Sequence, residues 1–128
     1  MRPLVLVVAV ALATAACATG PKASLGERTL PFGCNDTVVI GTVSHGTYQP
    51  VASENDVLGH GWIAALLKVR KVVRGAPLPP VLPVRYFAHA EMRRDREFML
   101  VLRRTGSGYE ITTGQLMSVR PLLASRCG

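Results

Sequence analysis

Trp62-Ile63-Ala64-Ala65-Leu66-Leu67-Lys68-Val69-Arg70-Lys71-Val72-Val73-Arg74-Gly75 is the stretch whose conformation decides the fold. With a period of 3.6, Trp62, Ala65, Leu66, Val69, Val72 and Val73 make one apolar face of a helix that Gly75 and Pro77 would end. With a period of two, Ile63, Ala65, Leu67 and Val69 alternate as in a half-buried strand, and the phase change from Arg70-Lys71 to Val72 is what a β-bulge produces. Both patterns fit locally, so the flanking sequence carries the weight.

That flanking sequence is rich in β signals. Thr37-Val38-Val39-Ile40-Gly41-Thr42-Val43-Ser44 has the β-branched density of a strand buried on both faces, and Gly41 marks a bend or bulge. Residues 45–61 carry several glycines, Pro50, Ser53, Asn55 and Asp56, and are expected to form one long loop. Leu82, Val84 and Tyr86 share a face of a second strand, and Phe98, Leu100 and Leu102 a face of a third. Thr105-Gly106-Ser107-Gly108 is a turn signal, after which Tyr109, Ile111 and Thr113 continue the alternation as a hairpin partner. Leu116 to Val119 is expected to add a last short strand before Pro121. The expected fold class is all-β and mainly antiparallel.

A chain of 128 residues holds one domain with one modest core, and its formal charge of +7, from 15 Lys and Arg against 8 Asp and Glu, makes it basic. Its address is written at the N-terminus. Arg2 is followed by an apolar run from Leu4 to Ala13 and by the small residues Thr14-Ala15-Ala16, which is the build of a secretion signal. From Leu4 to Ala16, the segment expected to be removed, there are thirteen uncharged residues, well short of the roughly 18 that a membrane-spanning helix needs.

Small residues directly before a cysteine resemble the lipobox of bacterial lipoproteins, with Thr14 standing where leucine is commonest. The resemblance implies removal of residues 1–16 and lipidation of Cys17; cleavage after Ala15 by an ordinary signal peptidase is the alternative. Lipidating Cys17 leaves an even pair, Cys34 and Cys127, in an oxidising compartment where a disulfide persists. Closing so long a loop contributes on the order of 4–5 kcal/mol in the chain-entropy model. Ala18 follows the lipidated position in place of the aspartate that resembles an inner-membrane retention signal, so the outer membrane, facing the periplasm, is the expected location. Residues 17–33 then serve as lipidated N-terminus and tether, and residues 34–128 as the folded domain. Export excludes intracellular nucleic acid as the partner of the positive charge. It leaves anionic lipid headgroups, lipopolysaccharide phosphates and acidic proteins.

Three stretches carry a further resemblance: Cys34 to Val43, Leu67 to Gly75, and Glu97-Phe98-Met99-Leu100-Val101-Leu102. They resemble the netrin-like, or tissue-inhibitor-of-metalloproteinases-like, group of OB-fold domains. The resemblance implies a small five-stranded OB-like barrel in which residues 62–74 are one long bent strand. In that group a free N-terminal cysteine of the mature chain chelates the zinc of a target protease. Here Cys34 follows a tether and Cys17 is blocked by lipid, so the fold is expected without the inhibitory mechanism.

Catalytic signals are thin. His45, His60 and His89 have neither metal-ligand spacing nor flanking cysteine pairs. His89-Ala90-Glu91 matches part of the zinc-deaminase motif but lacks its downstream cysteines. A Cys34 nucleophile conflicts with the disulfide, and nothing signals an activated Ser44 or Ser53. Basic residues do cluster, in Lys68, Arg70, Lys71 and Arg74 and again in Arg93, Arg94 and Arg96, and these are the candidate anion-binding positions. Trp62, Tyr86, Phe87 and Tyr109 would supply aromatic surface beside them. The chain is therefore expected to be a membrane-anchored, non-enzymatic binding or interaction module with no cofactor and no metal. A soluble periplasmic enzyme or an inhibitor-like protein is the competing expectation.

Overall fold

The computed structural model describes residues 28–128; the expected signal segment, Cys17 and the tether as far as residue 27 lie outside them. Eight strands follow in order: β1 (Thr29–Phe32), β2 (Thr37–Val43), β3 (Thr47–Pro50), β4 (Gly61–Arg74), β5 (Val81–Ala88), β6 (Phe98–Thr105), β7 (Gly108–Leu116) and β8 (Leu122–Ser125), with a 3-10 turn at Met117–Val119. Among the described residues there is no α-helix, so none is long and apolar enough to cross a membrane.

The ambiguous stretch is a strand, and its length closes the molecule. Residues 61–68 of β4 pair antiparallel with β5, while residues 67–74 pair antiparallel with β2. β2 also pairs with β6, β6 with β7, and β7 runs parallel to β5. The ring β2-β6-β7-β5-β4 is thus a closed five-stranded OB-like barrel, mainly antiparallel, with β3 added outside β4. Closure removes the open edges that would otherwise template aggregation.

β4 turns between its two partners by bulging. Its register with β2 skips Arg70 between Val69 and Lys71, and Val73 between Val72 and Arg74, which is the phase change visible in the sequence. Gly41 of β2 sits at the first of these shifts because a Cβ there would collide with the Lys68 carbonyl oxygen and come within 3.1 Å of Leu67 Cδ1.

Alternation then fills the barrel. Val39, Val43, Ile63, Leu67, Leu82, Val84, Tyr86, Leu100, Leu102 and Ile111 form the interior. A second apolar layer lies outside β2 and β6, where Val38, Ile40, Met99 and Val101 are covered by Leu30 and Phe32 of β1. This is why residues 37–43 carry no polar face. β1 pairs parallel with β8, and the Cys34–Cys127 disulfide, with Cα atoms 5.1 Å apart, ties the end of one to the end of the other.

Three boundaries differ from the sequence expectation. Thr29–Phe32, expected to be part of the tether, forms β1, whose Leu30 and Phe32 cover the outer layer. The loop expected over residues 45–61 contains β3, which pairs with the first residues of β4. The last strand is not Leu116 to Val119: β7 runs on to Leu116, a 3-10 turn follows, and Arg120 in the left-handed region (φ 53) redirects the chain past Pro121 into β8.

Because the Gly41 position faces backbone rather than a yielding side chain, Gly41→Val is expected to lower the unfolding free energy by about 2 kcal/mol or more. An unchanged urea midpoint would show that β2 and β4 do not approach each other as closely as the barrel requires.

Candidate functional site

Alternation also dictates what the barrel shows to solvent. Along β4 and β5 the inward residues are Ile63, Leu67, Leu82, Val84 and Tyr86, which leaves Trp62, Ala64, Leu66 and Lys68 opposite Phe87, Arg85, Pro83 and Val81 on the outer face. Most of these outward residues are apolar. Leu66 and Phe87 are each 49% exposed, and Val81 is 50% exposed.

The aromatic members are held in a continuous stack. The Arg85 guanidinium lies 4.3 Å from the centroid of Trp62 and is fixed on its other side by Glu110 at 3.2 Å. Trp62 meets Phe87 edge-on at 5.3 Å, and His60 stacks on Phe87 at 5.7 Å with 18° between the planes. His89 closes the row against His60 at 5.1 Å. Such contacts fix ring orientation while leaving one face of the row open.

The loop between β3 and β4 is built around Asp56. Its carboxylate accepts the backbone N–H groups of Leu58 (3.1 Å), Gly59 (3.0 Å) and His60 (2.7 Å) and also bonds the His60 ring at 2.9 Å. The Tyr48 hydroxyl donates to the Gly59 carbonyl. The loop presents Val57, 95% exposed, and Leu58, 63% exposed, at its tip. A second carboxylate latch lies nearby: Glu91 accepts the Gly46 N–H at 2.7 Å and bonds His45 at 2.9 Å. The His60 hydrogen bond holds Asp56 below its ordinary pKa, and the Gly46 N–H followed by His45 does the same for Glu91.

Several of the expected basic residues are engaged by carboxylates or by an aromatic ring. Arg70 makes a bidentate pair with Glu97 at 2.5 and 2.8 Å, Arg74 lies over Phe32 at 4.6 Å, and Lys71 is exposed. Arg93 pairs with Asp95 at 2.8 Å and Arg96 reaches the same carboxylate at 4.0 Å. Lys68 lines one hollow with Arg70 and Glu97 and a second, of about 280 Å³, with Arg94, where Val43, Leu66 and Val81 also contribute at the edge of the apolar face. Tyr86 is not available as surface. It is buried, its hydroxyl accepts the Met92 N–H at 3.0 Å, and burial raises its pKa.

The nucleophile candidates Cys34 and Ser44 are both engaged. Both Cys34 and Cys127 are in the disulfide, and the Ser44 hydroxyl donates to the His45 carbonyl while accepting the Leu66 N–H. Among the described residues no group of three or more His, Cys, Asp or Glu could hold a metal ion. His45 and His60 do not pair with each other; each is engaged by its own carboxylate. No protein-family model, curated protein or solved structure matches the chain.

Sequence reading missed Val57, Leu58 and Arg85. Asp56 followed by Gly59 was a legible turn signal, but the exposure of the two residues between them is a tertiary result.

Because Asp56 and Glu91 titrate lower in the folded chain than at their ordinary values of 3.8 and 4.5, their contribution is complete above those values and is lost as pH falls through the depressed ones. Hydrogen-exchange protection at Gly46, Gly59 and His60 is therefore expected to hold from neutrality down to about pH 4 and to fall below it, ahead of Val39 and Leu100 in the barrel. Asp56→Asn should weaken protection at Gly59 and His60 already at neutral pH. Protection at these amides that is indifferent to acid and to the substitution would contradict the carboxylate latches.

Proposed function

We propose that the chain is a membrane-anchored periplasmic lipoprotein, held by lipid on Cys17 after removal of residues 1–16, whose barrel is a non-catalytic interaction module for an acidic protein of the cell envelope. The observation that carries this reading is the distribution of exposed apolar side chains. Of the large hydrophobic residues exposed in the described chain, Tyr48, Val51, Val57, Leu58, Leu66, Val81 and Phe87 all lie on β3, β4, β5 or the loop joining β3 to β4, and only Leu122 and Leu123 lie elsewhere. A monomeric surface concentrates apolar residues in this way where it meets another molecule. Trp62, Phe87 and Arg85 at its centre are the residue types that dominate binding energy in protein interfaces, and Lys68 with Arg94 at its edge favours an acidic partner.

A netrin-like kinship belongs to the same proposal. It is supported by the three stretches that carry the resemblance falling on neighbouring strands β2, β4 and β6 of one closed barrel.

A photocrosslinking residue placed at Leu66 or Phe87 in cells is expected to give a discrete crosslinked product, and one at exposed Ser118 is not. Trp62→Ala should reduce the product by roughly tenfold or more, the weight of a central aromatic in such an interface. Cys17→Ala should abolish labelling by a fatty-acid analogue and release the protein from membranes. Equal products from all three positions would refute the face, and unchanged labelling would refute the anchor.

A further inference from the structure

The two exposed leucines left out of the interaction face lie on its far side. In the barrel ring β5 pairs only with β4 and β7, and β1 covers the outside of β2 and β6, the two strands that β5 does not touch. β8 extends that cover, pairing Leu122 with Thr29 and Leu123 with Leu30. Leu122 is 50% exposed and Leu123 38% exposed.

This patch sits where the described chain begins. The Leu122 N–H donates to the Arg28 carbonyl at 2.8 Å, so β8 lies directly against the first described residue. From Cys17 to Arg28 the chain reaches at most about 40 Å.

Its rim is cationic. Arg28, Arg120 and Arg126 are all exposed, and none has an ion-pair partner among the described residues. Arg126 is held at the other end of the pair of strands by its own N–H, which donates to the Phe32 carbonyl at 2.9 Å. Among the described residues, Asp36 near this side is buried and satisfied by the Gly33 N–H at 2.6 Å and by Arg103 at 3.5 Å.

We infer that the β1–β8 side is a membrane-docking surface, with Leu122 and Leu123 entering the interface and Arg28, Arg120 and Arg126 meeting anionic phospholipid headgroups. The inference rests on the anchored reading above and adds an orientation: the face of β4 and β5 points away from the bilayer. Each arginine close to an anionic surface raises partitioning about fivefold. The lipid on Cys17 would hold the chain at the bilayer, and the basic patch would then set which side faces it.

The chain's single tryptophan, Trp62, lies on the opposite face and serves as an internal control. Protein matured in cells is mixed with vesicles of phosphatidylglycerol and bromine-labelled phosphatidylcholine, and quenching of Trp62 is compared with quenching of the indole of Leu122→Trp in a Trp62→Phe background. The expected result is quenching several-fold stronger at position 122, falling to the Trp62 level in 1 M salt, where the screening length is about 3 Å, and in an Arg28→Ser, Arg120→Ser, Arg126→Ser variant. Equal quenching at the two positions in protein that floats with the vesicles would overturn the docking surface while leaving the anchor intact. Protein that carries no lipid is read at saturating vesicle concentration: quenching at position 122 ahead of Trp62 sustains the surface without the anchor, and its absence overturns it. An emission shift at position 122 that grows with protein concentration in lipid-free buffer would assign the patch to a second copy of the chain, also against the inference.

Discussion

The structure depends on one strand serving two partners. β4 spends its first half against β5 and its second half against β2, with Leu67 and Lys68 at the crossover paired to both. A strand of 14 residues does this only by bending sharply, and the bend is made from two skipped register positions and the open approach that Gly41 gives the Lys68 carbonyl. Without it the sheet would remain open, with Val39, Leu67 and Leu100 exposed on one side. With it the interior closes around ten buried side chains.

Closure divides the exterior into unequal parts. Outside β2 and β6 the barrel is apolar and must be covered, which β1 does with Leu30 and Phe32, so the molecule has a second small core on that side. The covering pair, β1 and β8, comes from opposite ends of the folded chain, and the disulfide between residues 93 apart in sequence holds those ends together. In the chain-entropy model such a closure contributes on the order of 4–5 kcal/mol, comparable to the whole net stability of a small domain. Outside β4 and β5 no strand among the described residues provides cover, and the aromatic row with its neighbouring aliphatic residues stays in contact with solvent. The side of β1 and β8 is thus closed by covalent and strand contacts, while the outward residues of β4 and β5 stay exposed to solvent.

Much of the barrel was legible in residue pattern. Leu82, Val84 and Tyr86, and Leu100 with Leu102, show the alternation that the buried face requires, and Val38, Val39 and Ile40 announced burial on both faces. Residues 62–74 were ambiguous for a physical reason: Ala65 and Val69 satisfy the helical and the strand period alike, and the skipped positions at Arg70 and Val73 break the strict alternation that would have excluded a helix. β1 and β8 are only four residues each, carry a proline within or just before them, and exist because they pair with each other, which local sequence does not record. The site was less legible than the fold. Runs of arginine and lysine suggested anion-binding patches, but linear clustering does not show that Glu97 and Asp95 take up Arg70 and Arg93, nor that Lys68 meets Arg94 across the corner of the barrel.

The most direct test of this account is the set of nuclear Overhauser contacts across β4 in solution. Closure predicts contacts from Val39 to Val72 and from Gly41 to Val69 on one side, from Ile63 to Tyr86 on the other, and from Val84 to Tyr109 across the parallel pair, all in one molecule. Sequential helical contacts through residues 62–74, or the absence of the β2 to β4 set while the β4 to β5 set persists, would contradict it.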